Sequence, residues 1–373
     1  MTTKKTTFGA IGALACTLLP FVPSGASAQS SVQVYGVVDM GVSSYKGDGA
    51  GSRQMVTSGG NQASRLGFRG REDLGSGLVA GFDMESGINA DTGTGQLTNT
   101  NNQASGNSGG GGLTFNRKSF VYLQSKQWGE LRLGRDYTPA FWNTFLFDPF
   151  RVGVGASTHV LHGTTVTGFR ASNSVGYFSP GCSGPSCQGF FYQGMVAFGE
   201  NGAGPDRQDG NLYGLRVGYG GEQWNAAAAV TTTRNRIADD YTSMNIAASY
   251  LWNGHRFMAL AAENRTGNRL AAVGNANRVR YWQLGAEWKV GNGSIPMSFM
   301  RLTRNDGASS SSQKYAVGYV HNLSKRTALY GTYAYVDNRG SINLPVASGA
   351  VNGPIPTAGG NASGFDIGMR HSF

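Results

Sequence analysis

Downstream of residue 28, apolar residues in this chain keep largely to every second position, and no apolar run lasts more than a few residues before Gly, Asn, Arg or Ser breaks it. A membrane helix needs about 20 consecutive apolar residues, so this region offers none. If the chain crosses a bilayer, it must do so with strands whose backbone polar groups are all satisfied by neighbouring strands, which means a closed barrel. Sixteen segments of suitable period can be counted: 31–46, 65–74, 77–90, 118–127, 130–138, 171–179, 189–200, 211–220, 223–234, 242–252, 255–266, 278–290, 294–305, 313–322, 326–338 and 363–373. An even count leaves both ends of the barrel on the side of the short turns.

The connections fit the same reading. Tight turns are expected at Leu74-Gly75-Ser76-Gly77, Trp128-Gly129, Gly220-Gly221, Asn253-Gly254, Gly291-Asn292-Gly293 and Asn322-Leu323-Ser324-Lys325. Long polar loops fall at 47–64, 91–117 and 339–360, and because alternation resumes after each, they read as excursions from one barrel spanning residues 29–373. The balance of 58 Gly, 11 Pro, 16 Tyr and 19 Phe suits aromatic strands joined by flexible loops. In the second segment Leu66, Phe68 and Gly70 are expected to face lipid, with Arg65, Gly67, Arg69 and Arg71 in the lumen. In the last, Phe365, Ile367, Met369, His371 and Phe373 share one face and Asp366, Gly368, Arg370 and Ser372 the other. Trp128, Trp224, Trp252 and Trp288 lie at or beside turns, where an aromatic girdle would meet the membrane interface.

The first 28 residues read as an export signal. Lys4 and Lys5 precede an apolar stretch from Phe8 to Val22, and Ala26-Ser27-Ala28 is the small-residue pattern of a cleavage site, so the mature chain is expected to begin at Gln29. Thr17 and Pro20 weaken a retained helix, and the lipoprotein reading of Cys16 fails because Ala13 stands three residues before it. Net charge is +10, or +8 with 29 Lys and Arg against 21 Asp and Glu once Lys4 and Lys5 are removed. The Arg residues are dispersed at one or two per strand and form no patch, so they read as a lumen lining, and no nucleic-acid partner is expected. Cys182 and Cys187 flank Ser-Gly-Pro-Ser and, in an exported protein, predict a small disulfide across a turn. No second ligand pair suggests a metal, and no cofactor is expected.

A barrel enzyme would need a nucleophile, base and orienter in reach of one another. His159, His162, His255, His321 and His371 come with no Gly-x-Ser-x-Gly elbow or metal-ligand repeat, and His159 and His162 read as loop polar residues.

Several motifs in order carry a resemblance: Val34-Tyr35-Gly36-Val37-Val38-Asp39, Ser64-Arg65-Leu66-Gly67-Phe68-Arg69-Gly70, Leu133-Gly134-Arg135, Arg170-Ala171-Ser172-Asn173-Ser174-Val175 and the terminal Gly368-Met369-Arg370-His371-Ser372-Phe373. With these the chain resembles the general porins of Gram-negative outer membranes, in the branch typical of β-proteobacteria. The resemblance implies a homotrimer in the outer membrane, surrounded by lipid and lipopolysaccharide. It implies insertion by the barrel-assembly machinery, with Phe373 as the assembly signal, and passive diffusion of small hydrophilic solutes. A substrate-specific channel for carboxylates or sugars is the alternative, and an adhesin role for the loops is compatible with either.

In that family the third outer loop, here about Asp136 to Phe169, folds into the lumen opposite a wall of arginines. The matching wall residues are Arg65, Arg135 and Arg170, with Arg69, Asp83 and Glu85 also facing the lumen. Guanidinium groups crowded into a narrow passage favour anions. The loop departs from the better-known members, because Phe141 to Phe150 is mostly aromatic. Asp136 and Asp148 are its expected acids, and Phe145 and Phe147 are expected to pack it to the wall. Arg117 and Lys118 read as charges at the mouth.

Overall fold

The structure is a computed structural model and describes residues 31–108, 112–156, 167–184, 186–270, 276–347 and 353–373. The expected signal peptide, His159 and His162 lie outside the described residues. The main sheet holds eighteen segments. Two are short returns, Gly51–Ser58 against the first strand and Thr94–Gly95 against the third. The other sixteen make the wall, and we number them in chain order by ordinals. They are Ser31–Gly47, Arg65–Gly75, Leu78–Asn89, Lys118–Ser125, Gly129–Tyr137, Arg170–Phe178, Gly189–Ala197 and Leu212–Gly220, then Trp224–Thr233, Tyr241–Trp252, His255–Leu270, Ala276–Val290, Gly293–Arg304, Ser311–Asn322, Thr327–Arg339 and Ala362–Ser372.

Each pairs antiparallel with its neighbour, and the sixteenth closes on the first from Val37↔Ser372 to Gly47↔Ala362. Beyond that ladder the Gly36 and Phe373 backbones exchange two hydrogen bonds, at 3.2 and 3.1 Å. Closure leaves no edge strand unsatisfied in lipid. All sixteen expected segments are strands, offset by a few residues at their ends. Alternation did not reveal the Gly51–Ser58 return, which lies within the expected 47–64 loop and doubles back on Met40–Gly47.

The faces sort as the alternation demands. On the first strand Val32, Val34, Val38 and Val42 are exposed on the outer wall, while Asp39, Ser43 and Tyr45 are buried inside. On the last, Phe365, Ile367 and Met369 point out and Asp366 is fully buried in the interior. Apolar side chains outside and polar ones inside are what a lipid solvent and a wet lumen select. Cys182 and Cys187 form the expected disulfide, as register partners in a two-residue ladder.

The interior is partly filled by the chain between the fifth and sixth strands, which opens with a helix at Pro139–Leu146. Pro139 stands at its start, where a missing N–H costs nothing, and Phe147 ends it two residues before Pro149. The helix lies along the inner wall of the eighth to tenth strands. Ala140 N donates to Thr231 Oγ1 at 3.2 Å and Asn245 Nδ2 to Ala140 O at 2.9 Å. Asn143 donates to Ala227 O at 3.0 Å and accepts from Arg216 Nε at 2.6 Å. Farther on, Val154 N donates to Asp366 Oδ2 at 3.1 Å, and Lys314 Nζ to Ala156 O at 2.6 Å. The described part of the loop is thus fastened from the eighth strand round to the sixteenth.

Candidate functional site

With the loop held against one side, the passage is confined to the other, where the first six strands face inward. A cavity of about 410 Å³ opens there, lined among others by Arg65, Glu85, Arg117, Lys118, Tyr137 and Trp142. Three outer loops feed into the second, fourth and sixth strands, which all descend from the same side. Arg65 is the first residue of the second, Lys118 of the fourth with Arg117 just before it, and Arg170 of the sixth. Cations at the tops of three descending strands fall at similar depth.

Their partners are few. Glu85 takes Arg117 Nε at 2.6 Å and Arg65 Nε at 3.4 Å, while Lys118 Nζ reaches Asp83 at 2.9 Å and Glu85 at 3.9 Å. Tyr35 donates its hydroxyl to Asp83 at 2.7 Å and to Glu85 at 3.2 Å, which fixes both carboxylates to the wall. Arg170 donates to the Tyr137 hydroxyl and lies over its ring. Arg65, Arg117, Lys118 and Arg170 against Asp83 and Glu85 leave the cluster at a net +2. In a narrow, partly desolvated passage such charges are only weakly screened, and one of them 4 Å from a passing ion interacts by about 4 kcal/mol at an effective dielectric near 20.

Three expected site residues are placed elsewhere. Arg135 is tied into the wall beside the cluster, donating to Asn116 O at 2.6 Å, Asn99 O at 2.9 Å and Ser172 Oγ at 2.7 Å, and bonds neither of the cluster's carboxylates. Asp136 is buried against Arg132 at 2.6 Å, an ion pair that also holds Glu130. Asp148 is fully buried and accepts from Phe150 N at 3.0 Å within the loop's own turn. Neither acid faces the arginines. The loop instead presents Arg151 to the same cavity, over the Phe145 ring at 5.9 Å.

Arg69 lies deeper, bonded to Gln33 and over the Tyr35 ring at 5.1 Å. Phe147 is buried with Leu260, Tyr281 and Met300 on the inner wall, as its packing role requires. Phe145 packs on Phe141 and Trp142 but also lines the cavity. Arg117 and Lys118, read as charges of the mouth, belong to the centre. The signal for them was available in the shared position of Arg65, Lys118 and Arg170 at strand starts.

A family model described as Gram-negative porin matches residues 13–341. Outer membrane porin protein 32 of Delftia acidovorans is 32% identical over 363 residues, covering 94% of this chain and 96% of its own length. An outer membrane porin protein of Bordetella pertussis is 26% identical, covering 87% of this chain and 94% of its own length. The solved anion-selective porin from Comamonas acidovorans superposes with a TM-score of 0.78 at 29% identity, over 92% of this chain and 100% of that one.

Proposed function

Since the chain belongs to the Gram-negative porins and forms a diffusion channel of the outer membrane, we propose that its channel prefers anions and that the cluster of Arg65, Arg117, Lys118 and Arg170 sets the preference. The observation that carries this reading is the uneven balance of the cluster: two carboxylates, both bonded to Tyr35, stand against four cations, while the loop's two acids are turned away from them. A small anion entering the passage exchanges part of its water for guanidinium donors, whereas the cluster's two carboxylates are already bonded to Tyr35 and to the cluster's own cations. The relative from Comamonas, itself described as anion-selective, supports the anion preference.

Residues 1–28 act as a cleaved export signal, the mature barrel works as a homotrimer, and Phe373 serves as the recognition residue for barrel assembly. The decisive measurement is the reversal potential of the purified protein in planar bilayers under a KCl gradient. A potential of the sign set by chloride supports the proposal, and the sign set by potassium overturns it. A monomer band in unheated, mild-detergent electrophoresis would count against the trimer.

A further inference from the structure

The outer wall carries a second basic cluster, separate from the channel. Register rows across the ninth to thirteenth strands locate it. One row runs Ala228, Ile246, Ala261, Trp282, Arg301; the next toward the outside runs Val230, Met244, Glu263, Arg280, Thr303; the third runs Thr232, Thr242, Arg265, Arg278. All face lipid, because the alternate residues Tyr281, Gln283 and Leu302 are buried inside while Ile246 and Trp282 are exposed. Adjacent rows on one face are about 7 Å apart, so the four guanidinium groups of Arg265, Arg278, Arg280 and Arg301 can converge on one headgroup.

Glu263 is the sole carboxylate in these rows, bonded by Arg280 at 2.6 Å and Arg278 at 3.5 Å. Among the described residues the guanidinium groups of Arg265 and Arg301 have no hydrogen-bond or ion-pair partner. The third row continues to Tyr213 on the eighth strand without another charge, so the cations are local to the eleventh to thirteenth strands. Directly beneath them the wall is concave. A trough of about 750 Å³ has Ala228 and Ala261 in its floor and Leu215, Val230, Ile246 and Trp282 along its sides, with Arg280, Arg301 and Thr303 at its outer end.

We propose that this face binds a phosphorylated, acylated glycolipid of the outer leaflet, of the lipopolysaccharide type, with a phosphate on Arg280 and Arg301 and an acyl chain in the trough. Two features of the surface select that occupant. Paired guanidinium groups match phosphate oxygens in a fork that a neutral or zwitterionic headgroup fills less well. The apolar trough directly below the cations matches a molecule whose charge sits on top of its own hydrocarbon. Arginine near the interface is tolerated there, whereas at the midplane it would be costly.

The test uses the full-length protein in detergent and bisphosphorylated lipid A as the probe, with bound lipid counted by native mass spectrometry. Arg280→Gln with Arg301→Gln should weaken lipid A binding about tenfold or more. Single-channel conductance, the control for folding, should stay unchanged. Arg339→Gln, on the outward face of the fifteenth strand beside Asp337, should bind as wild type does. Lipid A stripped of its phosphates should bind wild type and the double variant equally. Equal affinity of wild type and the double variant for intact lipid A would overturn the proposal. So would an equal loss in Arg339→Gln, which would mean diffuse charge, or displacement of lipid A by equimolar inorganic phosphate, which would mean a site for the free ion.

Discussion

Arg170 lies with its guanidinium 4.5 Å from the centre of the Tyr137 ring and donates to that ring's hydroxyl at 3.0 Å. The two are register partners at the ends of the strands that flank the inward loop, and Arg117 meets the same ring at 5.9 Å. One phenol therefore holds two cations in position without neutralising either, since a ring face offers a quadrupole and no charge. Tyr137→Ala should free both guanidinium groups, raise open-channel current noise and reduce the anion preference only partly. Tyr137→Phe should keep most of the wild-type behaviour, and noise as high as that of the Ala variant would show that the hydroxyl, not the ring, is what positions them.

Arg117→Glu leaves three cations against three carboxylates in the cluster and should abolish the anion preference in a KCl gradient. Arg135→Glu should shift the reversal potential less than Arg117→Glu does, since Arg135 is held by wall carbonyls. It should also lower the temperature at which the folded band is lost in electrophoresis, because the acceptors on Asn99, Asn116 and Ser172 would face a carboxylate, at a cost on the order of 3 kcal/mol. Wild-type preference should also weaken between 0.1 and 1 M KCl, as the screening length falls from about 10 to about 3 Å. A preference independent of salt would argue for a size filter.

Asn143 joins the loop helix to both Ala227 and Arg216. Asn143→Leu leaves the buried Arg216 guanidinium without that acceptor and should cost about 2 kcal/mol. The expected result is a lower thermal transition of the barrel and more frequent conductance sublevels. An unchanged transition would mean that the remaining anchors hold the loop alone.

Phe373 closes the barrel against Gly36, where an added Cβ would collide with its ring. Gly36→Val and deletion of Phe373 should both reduce the folded, membrane-inserted yield, measured as the heat-modifiable fraction, while channels that do insert keep wild-type conductance. Full yield from both variants would remove Phe373 from assembly.

Period two was enough to find the wall, because each strand is solvated differently on its two faces and a one-residue slip would invert every side chain. The Gly51–Ser58 return escaped it because, of the residues that share the outer face with Val42, Val56 is apolar while Ser52, Gln54 and Ser58 are polar. The cluster was half legible. Arg65 and Arg170 could be placed from their motifs, but Arg135 carries an equally good motif and is directed by local geometry. Gly134 adopts a φ of 135°, and the pairing of the fifth and sixth strands slips between Ala171 and Ser174, so counting along the strand does not tell where the Arg135 side chain goes. Asp148 misled for a related reason: an acid in an inward loop suggests a counter-charge, yet a turn can claim it first.

The residues that hold the loop and the residues that colour the passage are different ones. Asn143 of the loop helix, with Arg216, Asn245, Lys314 and Asp366 of the eighth to sixteenth strands, does the first, and Arg65, Arg117, Lys118 and Arg170 do the second from the second to sixth. A lineage exposed to a toxic anionic drug can therefore exchange one cation after another and narrow its diet of solutes, while the protein continues to fold and reach the cell surface.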